Sequence, residues 1–243
     1  MTFDLDDSTA ARRADAERIA RDVVAPAADA LDTSLALRDE TRGAIAAVLP
    51  SPGDPAIGWV VALEAVAAAS AGLALVAAAD RLGVRTAVGA SEWSGCRGVD
   101  LDAMRAALAA SRPWQLAVTA TLVGAGRAAV DAAVLALRTR REAGAPDLAA
   151  QPAVADAATA IDASRLLLWE AATTGAAAAG HLARLHVLDA LKTALSAVEE
   201  SAGSDAFRSG TPLDRLRRDV LTVATVFGEA AAAREALAAA SPA

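Results

Sequence analysis

The chain has 243 residues and a net charge of −7 at pH 7, so it can bury a substantial core without a disulfide framework and repels a nucleic-acid backbone. Its single cysteine, Cys96, has no intrachain partner, and with no secretory leader pattern this sets the expectation of a reducing cytoplasm. Aromatic residues make up 3%, tyrosine is absent, and the 55% hydrophobic content is mainly alanine. That composition favours helix and disfavours a large sheet; the fold class it predicts is all-α.

From Ser8 to Ala30 a polar cap candidate precedes Ile19, Val23, Val24 and Ala27 at helical spacing, an amphipathic pattern. A short helix from about Leu35 to Val48 ends at Pro50, Pro52, Gly53 and Pro55. The spacing then predicts one helix from Ile57 to Leu82. Its run to Ala79 is long enough to suggest a membrane span, but it carries Glu64 and is dominated by alanine, so a buried helix in a protein without a membrane is expected. Glycines 83, 89, 95 and 98 punctuate a connector, and Asp100 opens a small helix with Leu101, Met104 and Leu108 on one face. Leu116 to Arg141 is a long alanine-rich helix, and a Gly144-Ala-Pro146 turn leads to a helix from Pro152 to Thr173. Another runs from Ala176 to Ser201 and stops at Gly203. The last covers about Pro212 to Ala240, with Gly228 as a point of interruption. Long helices on short connections predict a bundle. Three parts follow: residues 1–82, a connector 83–112 and a carboxy-terminal bundle 113–243.

Several segments resemble the acyl-CoA dehydrogenase family in order and approximate spacing. Leu122-Val-Gly-Ala-Gly-Arg127 is similar to its opening bundle helix, and Arg140-Arg-Glu-Ala-Gly-Ala-Pro146 to its Arg-Arg-Gln-Phe-Gly-Lys-Pro turn. Gln151-Pro-Ala-Val-Ala-Asp156, continuing through Asp162 and Arg165, resembles its Gln-Phe-Lys-Leu-Ala-Asp helix. Pro212-Leu-Asp-Arg-Leu-Arg-Arg-Asp219 looks like its Pro-Val-Glu-Arg-Leu-Tyr-Arg-Asp segment. Near the amino terminus, the stretch from Glu17 to Pro26 and Leu63-Glu64 resemble earlier helices of the family.

The resemblance implies FAD and an acyl-CoA substrate, with a carboxylate that takes the α-proton while hydride passes to the flavin. It also implies a β-domain between the helical parts, which the connector is too short to supply. One of the family's two positions for the base falls at Phe227, followed by Gly228; the other falls around Trp114, with no acid between Asp102 and Asp131. Glu229 is the remaining candidate base and requires a two-residue shift. Arg141 is the candidate contact to a flavin phosphate across a dimer interface, yet Ala143 replaces the aromatic that follows. Gly203 is the candidate phosphate-loop glycine, beside an acidic Glu200 that repels a pyrophosphate.

These substitutions predict a degenerate acyl-CoA dehydrogenase-like protein. It would be a non-catalytic subunit or scaffold forming a homodimer or a heteromer with a complete homologue, as in heteromeric members of the family with one impaired subunit. The alternatives are an FAD-dependent acyl-CoA oxidoreductase using Glu229, and a module that binds acyl-CoA or another hydrophobic ligand. His181 and His186, five residues apart, miss the register of two metal ligands on one helix face, so no metal site is expected. His186 and Asp189 read as a structural polar pair, and Gly124-Ala-Gly126 as a point of close helix packing and not a phosphate loop.

Overall fold

The structure is a computed structural model and describes residues 4–28, 39–84, 101–145, 147–227 and 230–240, among which no strand occurs. Helix α1 (Asp7–Ile19) begins where the Asp6 carboxylate accepts hydrogen bonds from the Ser8 hydroxyl and the Thr9 amide, each at 2.7 Å. These bonds satisfy a backbone donor the helix leaves open. They also hold the Asp6 carboxyl below its ordinary pKa, the Ser8 hydroxyl contributing most.

The expected regular helix from Ser8 is corrected further on: α1 passes into a π-helical stretch (Ala20–Val24) and then an α-turn over residues 25–28. Pro26 is the reason. Proline offers no N–H to the carbonyl four residues back and its ring crowds that carbonyl, so the preceding turn widens.

Helix α2 (Asp39–Val48) lies against α1 and α4, and residues 50–55 form the expected proline loop. The single predicted helix from Ile57 to Leu82 is in fact two, α3 (Ala56–Ala69) and α4 (Ala71–Arg81). Between them Ser70 is extended, with φ −160° and ψ 113°, and its hydroxyl accepts from the Leu73 amide at 3.3 Å as the cap of α4. Asp219, remote in sequence, accepts from the Ser70 hydroxyl at 3.4 Å and the Gly72 amide at 3.5 Å. A hydroxyl able to bond nearby backbone competes with helix continuation, and the dipole of the new helix favours a carboxylate at its start.

Helix α5 (Leu101–Ala110) packs on the first turns of α6 (Arg112–Glu142), which Ser111 caps by accepting from the Trp114 amide. By length and composition α6 is the one described helix that could cross a membrane. Here it is the axis of the bundle, packed by α3, α4, α7, α8 and α9. Helix α7 (Ala150–Thr174) starts where Asp147 accepts from the amides of Ala149 and Ala150, and ends at Gly175 with φ +81°, a left-handed conformation that favours glycine. Arg112 donates to the carbonyls of Ala171 and Gly175, so the start of α6 holds the end of α7. Helix α8 (Ala177–Ala202) returns antiparallel along α7. After a 3-10 turn (Gly203–Phe207), α9 (Pro212–Phe227) crosses α4 and α6, and α10 (Ala230–Ala240) lies back on α8.

Close packing at the two glycines of α6 is what the structure shows. A Cβ on Gly124 would stand 2.3 Å from the Glu64 carbonyl oxygen and 2.7 Å from the Ala67 Cβ; one on Gly126 would stand 2.3 Å from Ile161 Cδ1. Gly124 lets α3 settle directly on the backbone of α6, and Gly126 admits Ile161 of α7.

Candidate functional site

Trp114, around which the resemblance places one of the family's positions for the base, is fully buried, and its indole N–H donates to the Met104 carbonyl at 2.9 Å. Gln115 donates from its side-chain amide to the Leu108 carbonyl at 2.8 Å. Two side chains of α6 thus hold two backbone carbonyls of α5, whose Met104 and Leu108 are buried against them. Neither of these two side chains is a base. At the other position Phe227 is the last residue of α9, and Gly228 and Glu229 lie outside the described residues.

Arg141 is exposed in the last turn of α6. Its neighbour Arg140 pairs with Asp147 at 2.9 Å and donates to the carbonyls of Glu200 and Ser201 at 3.4 and 3.3 Å. The end of α6 and the end of α8 therefore meet, and Arg141 and Gly203 belong to one end of the bundle. Gly203 has φ +58°, and a Cβ there would meet nothing within 4 Å; its glycine serves the turn that ends α8 and forms no tight cradle. Glu200 is exposed beside it. An acidic side chain, an open glycine and an Arg140 already engaged do not make up a pyrophosphate site.

The expected His186–Asp189 pair is not formed. Asp189 pairs with Lys192 at 3.0 Å, while His186 Nδ1 lies 2.8 Å from the Ser164 hydroxyl. Ser164 is buried, and its hydroxyl also lies 2.8 Å from the Ala160 carbonyl of its own helix. Burial and the nearby Arg184 hold His181 below its ordinary pKa. Among the described residues no cluster of three or more His, Cys, Asp or Glu is placed to hold a metal ion. Cys96 lies outside the described residues.

The strongest charged constellation was not picked out from the sequence as a site. Glu64, 2% exposed, accepts from Arg165 Nε at 3.1 Å and from the Trp169 indole N–H at 2.8 Å. The Arg165 guanidinium stacks over the Trp169 ring, 4.3 Å from its centre, and Arg13 approaches the same ring at 5.9 Å. Burial pushes the Glu64 carboxyl up to about 7, against the opposing pull of Arg165, the Trp169 N–H, Arg127 and Arg13. The signal was present: a lone carboxylate in an otherwise apolar helix requires a buried cation or a proton.

Two grooves complete the picture. One, of about 250 Å³, lies between α8, α9 and α10 and is walled by Leu188, Leu191, Leu195 and Val220, with Lys192 and Arg234 as cations in its lining. The other, of about 170 Å³, lies at the α3–α4 break between Ala128 and Ala132 of α6 and Leu213, Leu216 and Asp219 of α9.

Residues 116–230 match the family profile of the acyl-CoA dehydrogenase C-terminal domain. Among solved structures, one of glutaryl-coenzyme A dehydrogenase in complex with glutaryl-CoA is similar with a TM-score of 0.75 at 15% identity, the alignment covering 98% of this chain and 96% of that chain. At that identity the likeness establishes the fold. A search of curated protein sequences finds no match. The described residues therefore form an all-α structure of acyl-CoA dehydrogenase-like helical fold, with no β-domain among them. The carboxy-terminal bundle thus matches the acyl-CoA dehydrogenase C-terminal domain over residues 116–230, and the fold of the chain is that of the acyl-CoA dehydrogenases' helical parts.

Proposed function

We propose that this chain is a non-catalytic acyl-CoA dehydrogenase-like subunit or scaffold that pairs with itself or with a complete homologue. The observation that carries the reading is Trp114: where proton abstraction would need a carboxylate, there is a buried indole whose one donor is committed to the Met104 carbonyl. The exposed Glu200 beside Gly203 supports it from the cofactor side, because a carboxylate there opposes a flavin pyrophosphate. The test is to incubate the purified protein with FAD, remove free cofactor, record the visible spectrum and then add acyl-CoA with an artificial electron acceptor. The expected result is a colourless protein that reduces nothing and sediments as a dimer, or copurifies with a complete homologue. A stoichiometric flavin band with acyl-CoA-dependent reduction would replace this reading with an FAD-dependent oxidoreductase, and Glu229 would be the first residue to change.

The apolar groove between α8 and α10 favours a second reading, a module that binds acyl-CoA or another hydrophobic ligand without redox chemistry. A ligand bound only by the native state, at a hundred times its Kd, adds about 2.7 kcal/mol of stability. For a chain of this size that is a rise in Tm of roughly 5–10 °C. Stabilisation of that order by acyl-CoA, with no flavin bound, would select this reading; an unmoved Tm would remove it.

A further inference from the structure

Glu64 lies where α1, α3, α6 and α7 converge. Gly124 brings the backbone of α6 against the Glu64 carbonyl, and Glu64 itself is 2% exposed. Both carboxylate oxygens are engaged from α7, Oε2 by Arg165 and Oε1 by Trp169. The charged groups facing it are Arg13 from α1, Arg127 from α6 and Arg165 from α7, with Asp162 of α7 acting on Arg165 in turn.

The pairing of Arg165 with Glu64 is incomplete. Only Nε reaches the carboxylate, in place of the two parallel bonds of a bidentate pair, and Nη2 is buried without a hydrogen-bond partner. A single-point bond offsets little of the desolvation of two charges. The ionised carboxylate bears the cost of a buried negative charge; the protonated carboxyl keeps the bond from Trp169 and sheds that cost, while Arg165 gives up its counter-charge.

We propose that Glu64, Arg165 and Trp169 form a proton-operated latch on the seam between α3 and the α6–α7 pair, sealed when the carboxyl carries its proton and primed to open when it does not. The direction follows from linkage. The folded pKa is raised from 4.5 to about 7, so the stabilisation from bound proton is complete below pH 4.5 and is lost as pH rises to 7. An opening that wets Glu64 returns it to its ordinary pKa. The ratio of open to closed seam therefore rises on the order of a hundredfold across that window and levels off above it. Neutral pH falls at the top of the window, where the seam has just reached its loosest state.

Hydrogen exchange of the α3 amides, expressed as protection factors so that intrinsic rates cancel, tests this on the full chain. Between pH 5.5 and 8.5 protection over Val60 to Ala67 is expected to fall by a factor of tens, because about one and a half of the two and a half pH units of the window remain above pH 5.5. In Glu64→Gln, which keeps an acceptor for Trp169 and cannot ionise, it is expected to stay level. The indole ¹⁵N–¹H signal of Trp169 in the unaltered protein supplies a readout that does not depend on the variant folding, and it should shift with a midpoint near pH 7. A wild-type protein with constant α3 protection, a Trp169 signal that does not titrate between pH 5.5 and 8.5, or an equal slope in Glu64→Gln would each overturn the latch.

Discussion

Gly124→Ala is expected to lower the thermal midpoint by about 6–12 °C, corresponding to a loss of roughly 3 kcal/mol for a chain of this size. In an ordinary helix the same change gains about 0.5–1 kcal/mol, because alanine gives up less backbone freedom on folding than glycine. Here the new methyl would sit 2.3 Å from a backbone oxygen of α3 and 2.7 Å from the Ala67 Cβ. Neither neighbour can rotate away, so α3 and α6 must separate, and the separation is felt along the buried face of α3. Gly180→Ala is the control within the same bundle. Its methyl would stand 3.9 Å from the Ala171 Cβ, an ordinary contact, and the helix preference of alanine should raise stability by about 0.5–1 kcal/mol. Scanning calorimetry on the two variants decides the matter, and a Gly124→Ala protein as stable as its parent would mean that α3 does not rest on α6 as described.

Removing the cation of the buried pair should have an effect of similar size with a distinct pH dependence. Arg165→Ala leaves Glu64 facing only the more distant Arg127 and Arg13, and a buried carboxylate stripped of its partner costs about 3 kcal/mol. That cost is fully present at pH 8, where the parent carries an ionised pair and the variant must bind a proton or bear a bare charge. At pH 5.5 Glu64 is protonated in both, and the variant loses only the stacking of the guanidinium and its stem on Trp169, about 1–2 kcal/mol. Urea denaturation at the two pH values measures the difference directly. An equal loss at both would show that Arg165 acts by packing alone.

The helical class and most helix positions could be read from composition and periodicity, because alanine-rich amphipathic runs and punctuating glycines are local signals. The boundaries at Gly175 and Gly203 are of that kind, each fixed within a residue or two by a glycine of positive φ, whereas α6 starts at Arg112, under its Ser111 cap, and not at the expected Leu116. The break at Ser70 was not legible, since its cause includes Asp219, a carboxylate almost 150 residues away in sequence that binds the start of α4. The π-turn of α1 was also missed, although Pro26 stood in the pattern as its cause. At the site level, the absence of an acid around Trp114 could be read directly, but the hold of Trp114 and Gln115 on α5 depends on packing that periodicity does not contain. The partner of His186 turned out to be Ser164, on the antiparallel neighbour helix, where spacing along one helix had suggested Asp189. Glu64 and Arg165 lay in separate resembling segments, and nothing local joined them.

The burial of α3 on every side has a consequence for how the chain is made. Residues from Trp59 to Ala67 are covered by α1, α6 and α7 together, and α6 and α7 are synthesised only after α3 is complete. A nascent chain that has reached the end of α4 therefore presents an uncovered apolar helix whose main partner is still being translated. At about 5–20 residues per second, the wait until α6 is finished lasts on the order of several seconds. During it that apolar surface is open to aggregation, and a fragment ending before residue 112 should aggregate where the full chain folds.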